Sequence, residues 1–450
     1  MIKIAIRLEF EPMKVENILG RHTKRNAIST AVAVVVIIVI LVVALGGYYA
    51  YSSASSSSST TTTTTTSSKP APTITIAAVF PLTGSSSYFG TTCLQAAQLA
   101  AQDINNAGGI TALGGAKIKI LSVDTTSDAT QAYSVVQSLL STNKNITAAV
   151  GAYASGLTIP LLPLFQQYQV PLIHTAFSNL ATTNSYTYGF RIAPNATTFG
   201  DSMVNFLVYL GTQGFDVSRI ALVYENDAYG AGVAQAVQAA LQQYPQYHVV
   251  LNEPYSLSGF TNAQPVVTAV QAANPQLIME VSYLNDASLI VQGLRAQGLN
   301  IPIIGGSGGF PLQQLYKQVG NDTNLIFTAA AYNANESKLI AQSVNSEYQA
   351  KYGYFMPEAA GSYYSAVWTI ADAINQAAST NPVVIDQTLH SMTVTSGNAL
   401  ILPEDQIHFN SIGANVDAFP VIAQWQNGKL LTVYPLNLAT AKPILPPVPP

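Results

Sequence analysis

A glycine-rich stretch, "IIGGSGGF" at 303–310, contains the residue with the clearest potential for chemistry. It fits G-x-S-x-G, the turn with which α/β-hydrolases present a nucleophilic serine, and Ser307 occupies the serine position. Such a serine needs a base, an orienting acid and an oxyanion hole. Asp386 and then His390 or His408 follow in the chain order of these hydrolases, but the sequence contains no HGGG-type oxyanion loop. We therefore predict that the protein is not an enzyme, with a serine hydrolase as a distant alternative.

The sequence also lacks the signals of a bound cofactor or metal. No Lys-Ser or Lys-Thr follows the glycines, as a P-loop requires, and Pro311 stands where G-x-G-x-x-G needs its last glycine. The five histidines form no HExxH motif and no i,i+4 pair, and Cys93 is the only cysteine. We expect no cofactor and no metal.

Composition narrows the class of partner. Charged residues make up 9% of the 450 residues, whereas soluble domains have roughly 25%. A formal net charge of -4 offers no basic surface to nucleic acid, which we exclude as a partner. Because so few ionisable groups would be affected by protonation, the composition also favours a protein adapted to an acidic medium.

The N-terminal region predicts export and attachment to a membrane. Residues 28–51 are apolar and uncharged, and they are numerous enough to cross a bilayer as one helix. Basic residues precede them at 21–25 and none follows until Lys69, so residues 1–27 should be cytoplasmic and the rest extracytoplasmic. "KRNAIST" is similar to the pilin-like signal peptides of archaea, which would be cut after Ala27; an uncleaved anchor gives the same topology.

A stalk and possible glycans fit this topology. Residues 52–72 are a Ser/Thr tract that ends in Pro and cannot bury apolar surface, which predicts an extended stalk outside the membrane. Four N-x-S/T sequons follow, and they make glycosylation of the exported part plausible. Their asparagines are Asn145, Asn195, Asn321 and Asn335.

Beyond the stalk, short apolar runs alternate with helix-like stretches in two series. Continuous apolar strands indicate parallel sheets covered on both faces. Two βαβ series in one chain predict an α/β protein with two doubly wound, Rossmann-like lobes. The strand-like runs are 73–80, 117–124, 146–152 and 170–175 in the first series, and 219–225, 248–255, 275–283, 301–306 and 325–331 in the second.

The loops after these strands are where such sheets hold ligands. They read "PLTGSSSYFG", "YASG", "AFSN", "NDAYGAG", "LNDA" and "SGGF". Hydroxyl groups, tyrosines and glycines dominate them, which favours a small polar ligand bound by hydrogen bonds between aromatic walls.

These loops resemble, in order, those of the extracytoplasmic solute-binding proteins of branched-chain amino acid ABC transporters, which have the periplasmic-binding-protein fold of class I. The likeness covers about residues 73 to 435. It is carried by "FPLTGSSSYFG", "DINNAGGI", "LSVDTTSDATQA", "GAYASG", "VPLIHTAFSN", "NDAYGAG" and "SYYSAVWTIADAI". The resemblance implies two lobes joined by three hinge crossings, near 195, 328 and 393. The implied division is 73–195 plus 328–393 for the first lobe, 196–327 plus 394–436 for the second, and a Pro-rich tail at 437–450.

The resemblance also implies a ligand site between the lobes. In the family a serine and backbone groups bind the ligand's carboxylate, aromatic rings enclose it, and an acidic residue of the second lobe binds its amino group. The matching positions are Tyr88, Tyr153, Ala154, Ser155, Ala176, Ser178, Tyr229, Tyr283 and, at the acidic position, Ser307.

The serine at the acidic position is a departure from the family pattern. A serine can accept a hydrogen bond from an ammonium group but cannot neutralise its charge, and an unpaired buried charge is costly. Either Glu280 or Asp286 takes over, or the ligand is an amide or a small carboxylate. Ser307→Glu is the substitution that tests this departure, with a gain in amino-acid affinity as the expected result.

The expected function is capture of a small polar metabolite and its delivery to an ABC permease in the same membrane by a monomeric protein. A receptor or regulatory ectodomain of the same fold is the alternative. It would need a signalling domain inside the membrane, and only about 25 residues precede the predicted anchor.

Overall fold

The computed structural model describes residues 72–183, 185–445 and 447. The predicted cytoplasmic segment (1–27), the predicted anchor (28–51) and all but the last residue of the predicted stalk (52–72) lie outside the described residues. Among the residues that are described, no helix combines the length and apolar character needed to cross a membrane.

The strands follow the apolar runs of the sequence. In chain order they are β1 (Thr73–Phe80), β2 (Lys117–Asp124), β3 (Ile146–Gly151), β4 (Leu172–His174), β5 (Gly189–Arg191), β6 (Arg219–Glu225), β7 (His248–Tyr255), β8 (Leu277–Val281), β9 (Ile303–Gly305), β10 (Ile326–Ala330), β11 (Thr393–Val394), β12 (Ile407–His408), β13 (Val421–Gln426) and β14 (Lys429–Tyr434).

The helices lie mostly between these strands. They are α1 (Ser87–Asn106), α2 (Ala129–Thr142), α3 (Ser155–Thr158), α4 (Leu162–Tyr168), α5 (Ala196–Thr212), α6 (Gly230–Leu241), α7 (Gln264–Ala273), α8 (Leu284–Ala296), α9 (Gln313–Val319), α10 (Leu339–Tyr352), α11 (Glu358–Ala377) and α12 (Pro382–Ser391). Side chains cap several of them: Asp128 accepts a hydrogen bond from the Gln131 N–H at the start of α2 (2.8 Å).

Two sheets form the cores of two lobes. The first has the order β2-β1-β3-β4-β5 and is parallel throughout, and the second has the order β14-β13-β10-β9-β8-β6-β7. In the second sheet β6 to β10 are parallel, whereas β13 and β14 are antiparallel. Ile76 and Ala78 face one apolar cluster and Ala77 and Val79 face another, which explains why the strands are apolar without alternation. The prediction of a two-lobed α/β fold is confirmed.

The chain passes between the lobes three times. The first passage lies between β5 and α5, because Ile192 packs in the core of the first lobe and Ala193 in that of the second. The second follows β10, since Tyr332 already belongs to the first lobe's core. Helices α10 to α12 then complete the first lobe, and the Tyr364 hydroxyl of α11 donates to Asp103 of α1 (2.7 Å).

The sequence had indicated a third passage near residue 393, but the structure does not place it there. Strands β11 and β12 pair with each other, and Ile407 and Phe409 are buried in the first lobe's core. The Arg191 N–H donates to the Gly413 carbonyl (2.7 Å), and Asn415 Nδ2 donates to the Ile192 carbonyl (3.1 Å). These contacts bind the segment to β5, so the passage to the second lobe falls between Asn415 and β13.

The sequons and the tail have distinct environments. Asn145 and Asn321 are exposed. Asn195 is half-buried and caps α5, while Asn335 donates its Nδ2 to the Leu430 carbonyl (2.8 Å).

In the tail, which is described to residue 445 and at 447, Ile444 exchanges hydrogen bonds of 2.7 and 2.8 Å with Gln424 of β13.

Candidate ligand-binding cleft

A cavity lies between the lobes, beside the loops that follow the parallel strands of both sheets. Its volume is about 530 Å³ when the open mouth is included. A volume of this size is within the range of small-molecule sites. Of the nine predicted site residues, six line it: Tyr153, Ala154, Ser155, Tyr229, Tyr283 and Ser307.

The other three predicted residues lie beside the cavity and not in its wall. Thr175 and Phe177 line it in place of Ala176 and Ser178. The Ser178 N–H donates to the Ser155 hydroxyl oxygen (3.2 Å), so this residue positions Ser155.

Tyr88 is displaced from the wall in a similar way. It lies in the first turn of α1, where consecutive side chains point in different directions, and Phe89 takes the lining position. The Tyr88 hydroxyl donates instead to Gln314 of α9 in the second lobe (2.5 Å). This hydrogen bond joins the lobes outside the cavity.

Aromatic rings from both lobes form the apolar wall. Phe89 stacks on Tyr153 with a centroid distance of 4.5 Å, and Tyr153 faces Tyr283 across the cleft at 6.4 Å. Tyr229 lies 5.2 Å from Tyr283 and 5.7 Å from Phe177. Rings at these spacings enclose an apolar group from several sides.

The tyrosine hydroxyls of this wall are neutral donors. Burial raises the pKa of Tyr153, Tyr229 and Tyr283 well above the ordinary value. The Tyr229 hydroxyl donates to the Gly306 carbonyl (2.7 Å), and that of Tyr283 donates to Asp227 (3.3 Å). The first bond fixes the glycine-rich loop against α6.

The close packing of that loop explains its glycines. At Gly308 the backbone φ is +63°, and an added Cβ would lie 2.2 Å from the Ser282 carbonyl oxygen. Only glycine combines this φ with such an approach. Ser307 also has a positive φ, +75°, which is uncommon outside glycine and often marks a functional position.

Ser307 does not contact the histidines that the sequence offered as its base, His390 and His408. Its hydroxyl donates to the carboxylate of Glu358, and no histidine is present among the described residues that line the cavity. His390 lies in the first lobe, with its ring nitrogens 3.0 Å from the carbonyl oxygens of Asn410 and Thr187. His390, which the sequence had offered as a possible base, therefore does not contact Ser307.

Glu358 is the site residue that sequence reasoning missed. It is the first residue of α11, follows Pro357, and is buried in the cavity wall. One carboxylate oxygen accepts from Ser307 and the other from the Ala331 N–H. Burial raises the pKa of Glu358 to about 7, although both hydrogen bonds lower it. An isolated acid at the start of a long apolar helix was the available signal.

The two carboxylates proposed from sequence do not line the cavity. Glu280 is buried in the second lobe and accepts from the Ser282 hydroxyl (2.8 Å); burial raises its pKa to about 8. Asp286 accepts from the Tyr255 hydroxyl (2.6 Å) and from the Tyr283 N–H (3.1 Å). Asp286 therefore fixes the start of α8, and neither residue faces the ligand space.

A cavity between two α/β lobes, lined by aromatic rings and hydroxyl groups, is the arrangement typical of a solute-binding protein. A family model described as "Periplasmic binding protein" matches residues 73–409. The chain therefore belongs to the periplasmic binding protein family, which comprises extracytoplasmic solute-binding proteins and not enzymes.

Relatives and solved structures agree with this assignment. "Leu/Ile/Val-binding protein homolog 8" of Brucella melitensis is 27% identical over 383 residues, which cover 82% of this chain and 92% of that protein. "Leu/Ile/Val-binding protein homolog 7" of Brucella abortus is 25% identical over 387 residues and covers 83% and 94%.

Two solved structures that share the fold are named for different solutes. The branched-chain amino acid transporter substrate-binding protein LivJ of Streptococcus pneumoniae, in complex with isoleucine, has a TM-score of 0.68 at 24% identity and covers 80% of this chain and 97% of its own. A fatty acid ABC transporter substrate-binding protein of Thermomonospora curvata has a TM-score of 0.68 at 17% identity and covers 80% and 91%. The fold is common to both, so the ligand must be inferred from the site.

Proposed function

We propose that the chain is the solute-binding subunit of an ABC importer and captures an amino acid with an apolar side chain between its lobes. One observation carries the proposal: the cavity combines an aromatic wall, hydroxyl donors and a single carboxylate, Glu358. The names of the Brucella relatives, which refer to leucine, isoleucine and valine, support it.

Each part of the ligand has a partner in this proposal. The hydroxyl oxygen of Ser155 accepts a hydrogen bond from the Ser178 N–H, so the hydroxyl hydrogen of Ser155 remains available to the ligand's carboxylate. The rings of Phe89, Tyr153 and Tyr283 enclose the apolar side chain.

The segment 28–51 holds the protein at the outer face of the membrane, where the closed form meets the permease.

A thermal-shift screen of the extracytoplasmic part tests the proposal. The panel contains the common amino acids, short amides, and short aliphatic and aromatic acids. Branched-chain amino acids should raise the melting temperature most, and glycine, which has no side chain for the aromatic wall, should raise it least. Absence of stabilisation by every amino acid, with the fold intact by circular dichroism, contradicts the proposal.

A further inference from the structure

The carboxylate of Glu358 lies in the cavity wall and supplies a negative charge there, although the sequence has serine at the position that carries the acid in related proteins. We infer that Glu358 binds the ammonium group of the ligand and thereby selects amine-bearing solutes over simple carboxylates. This inference rests on the proposed function, since it assigns the charge recognition within the same site.

The position of Glu358 satisfies the geometry of such a contact. The residue enters the cavity wall from α11 of the first lobe, opposite Ser307 of the second. Each of its carboxylate oxygens accepts one hydrogen bond, from Ser307 and from the Ala331 N–H. A carboxylate has about four acceptor positions, so roughly two remain for a ligand.

Charge complementarity then decides between ligand classes. Among the described residues that line the cavity, Glu358 is the only acid, and no lysine, arginine or histidine is present. A simple carboxylate would bring a second negative charge into this buried space without a counter-charge, which is costly. An ammonium group instead forms a charge-assisted hydrogen bond with Glu358.

The serine of the glycine-rich loop has a definite part in this arrangement. Its hydroxyl donates across the cleft to Glu358, so the second lobe positions the acid instead of supplying it. The bond can form only when the lobes are close together. Closure of the cleft and orientation of the charge-binding group are therefore coupled through one hydrogen bond.

A rival acid is available nearby and provides a direct comparison. Asp227 is half-buried in the loop before α6 and accepts from the Tyr283 hydroxyl (3.3 Å). It also accepts from the N–H of Tyr229 (2.6 Å) and of Gly230 (3.2 Å), and it is absent from the cavity wall. These contacts assign it to the start of α6.

The test compares two probes that differ only in the amino group, leucine and 4-methylpentanoate. Calorimetry at pH 8 should show that the wild type prefers leucine, and that Glu358→Gln reduces this preference about tenfold or more, as expected for a hydrogen bond to a charged group. Asp227→Asn should keep the preference. Glu336→Gln, which changes a buried glutamate of the first lobe outside the cavity wall, is the matched control.

The outcomes separate the inference from the proposed function. An unchanged preference in Glu358→Gln, or its loss in Asp227→Asn alone, overturns the inference while leaving an amino-acid-binding protein. If the wild type binds no amino acid, the proposed function fails and the inference fails with it.

A measurement on the wild type covers the case in which Glu358→Gln does not fold. At pH 6 leucine should release close to one proton on binding, because the ammonium group favours the ionised form of Glu358, whose pKa burial raises to about 7. Tyr153 and Tyr229, the titratable groups next to its charge, have pKa values raised well above the ordinary one, so neither changes ionisation at pH 6. Binding without proton release at this pH also overturns the inference.

Discussion

Ser307 is held in a backbone conformation that favours glycine, with φ at +75°. A glycine would relieve this strain but would remove the hydroxyl that donates to Glu358. The loop therefore keeps a strained residue next to the ligand space, as is often found where a side chain has a functional task. That task is the orientation of the acid across the cleft.

This contact reverses the expectation for Ser307→Glu. A glutamate at 307 would place a second carboxylate against Glu358, and two buried carboxylates cannot both ionise without a large cost. We expect no gain in amino-acid affinity, and we expect a lower melting temperature than for the uncharged control Ser307→Gln at pH 8. At pH 5.5 the difference between the two variants should shrink, because one carboxyl is then protonated.

Thermal unfolding of both variants at the two pH values checks this expectation. Equal melting temperatures for Ser307→Glu and Ser307→Gln at pH 8 would show that residue 307 does not face Glu358. A tighter complex of Ser307→Glu with leucine would restore the interpretation made from sequence.

Glu358 should also make leucine binding depend on pH. Its pKa is raised from 4.5 to about 7 by burial, so in the free protein it loses its charge as the pH falls through 7. Affinity for leucine should be highest above pH 7 and fall by up to about tenfold per pH unit below it. Calorimetric titrations between pH 8 and 5.5 measure this, and Glu358→Gln should show a flat profile.

At the scale of the elements, the loop between β9 and α9 depends on Gly308. An alanine there keeps the unfavourable φ of +63° and adds a Cβ 2.2 Å from the Ser282 carbonyl oxygen. Gly298 has φ at +73° but no atom within 4 Å of an added Cβ, so it isolates the conformational cost. That cost is about 1 to 2 kcal/mol.

We expect Gly308→Ala to lower the free energy of unfolding by clearly more than Gly298→Ala, and to abolish leucine binding because the loop must move. Urea unfolding and calorimetry of the two variants provide the measurement. Equal losses of stability, with binding retained in both, would mean that the loop does not pack against β8 and α8 as described.

The elements that the sequence predicted well are those with a strong local pattern. Continuous apolar runs predicted β1 to β4 and β6 to β10, and in central strands such as β3 and β8 burial on both faces leaves no alternation. Strand β5 was not predicted. Helices α5 and α12 were not predicted. The third passage between lobes was misplaced because β11 and β12 have two residues each, and because the contact of Arg191 with Gly413 joins distant parts of the chain.

The same distinction applies to the cleft. Six lining residues were implied by the family resemblance, and they lie in loops that the rule for the carboxyl ends of parallel strands also indicates. Glu358 does not follow from it, because it lies at the start of a helix of the first lobe and comes after most of the second lobe in the chain. An acid at the start of a helix also has an ordinary explanation, since it is favoured by the helix dipole. Only the three-dimensional contact with Ser307 distinguishes the two explanations.

At the scale of the whole molecule, contacts outside the cavity help to hold the lobes together. The hydroxyl of Tyr88 on α1 donates to Gln314 on α9. Tyr88→Phe removes this bond without touching the cavity wall, so it should weaken every ligand equally, by about threefold to tenfold. Calorimetry with leucine, isoleucine and valine tests this. A change in their order of affinity would mean that Tyr88 contacts the ligand.

The buried acids of both lobes should give the free protein an unusual response to acid. Burial raises the pKa of Glu280, Glu336 and Glu404 to about 8, and that of Glu358 to about 7. The folded protein therefore takes up protons between pH 8 and 5.5 that the unfolded chain, with glutamate pKa values near 4.5, does not. By linkage, the free energy of unfolding increases as the pH falls through this window.

One buried histidine, His174, opposes this increase in the free energy of unfolding at the lower end of the range from pH 8 to 5.5. Burial and the nearby Arg191 lower the pKa of His174 from 6.5 to about 3. Below pH 6.5 this histidine therefore becomes protonated in the unfolded chain but stays neutral in the folded protein. The histidine offsets only part of the proton uptake by the four glutamates, to which Asp372 and Asp386 add because burial raises their pKa to about 6, so the melting temperature should rise by a few degrees from pH 8 to 5.5. Glu336→Gln and Glu404→Gln should each flatten the gain. A melting temperature that falls steadily over this range would contradict both this prediction and adaptation to an acidic medium.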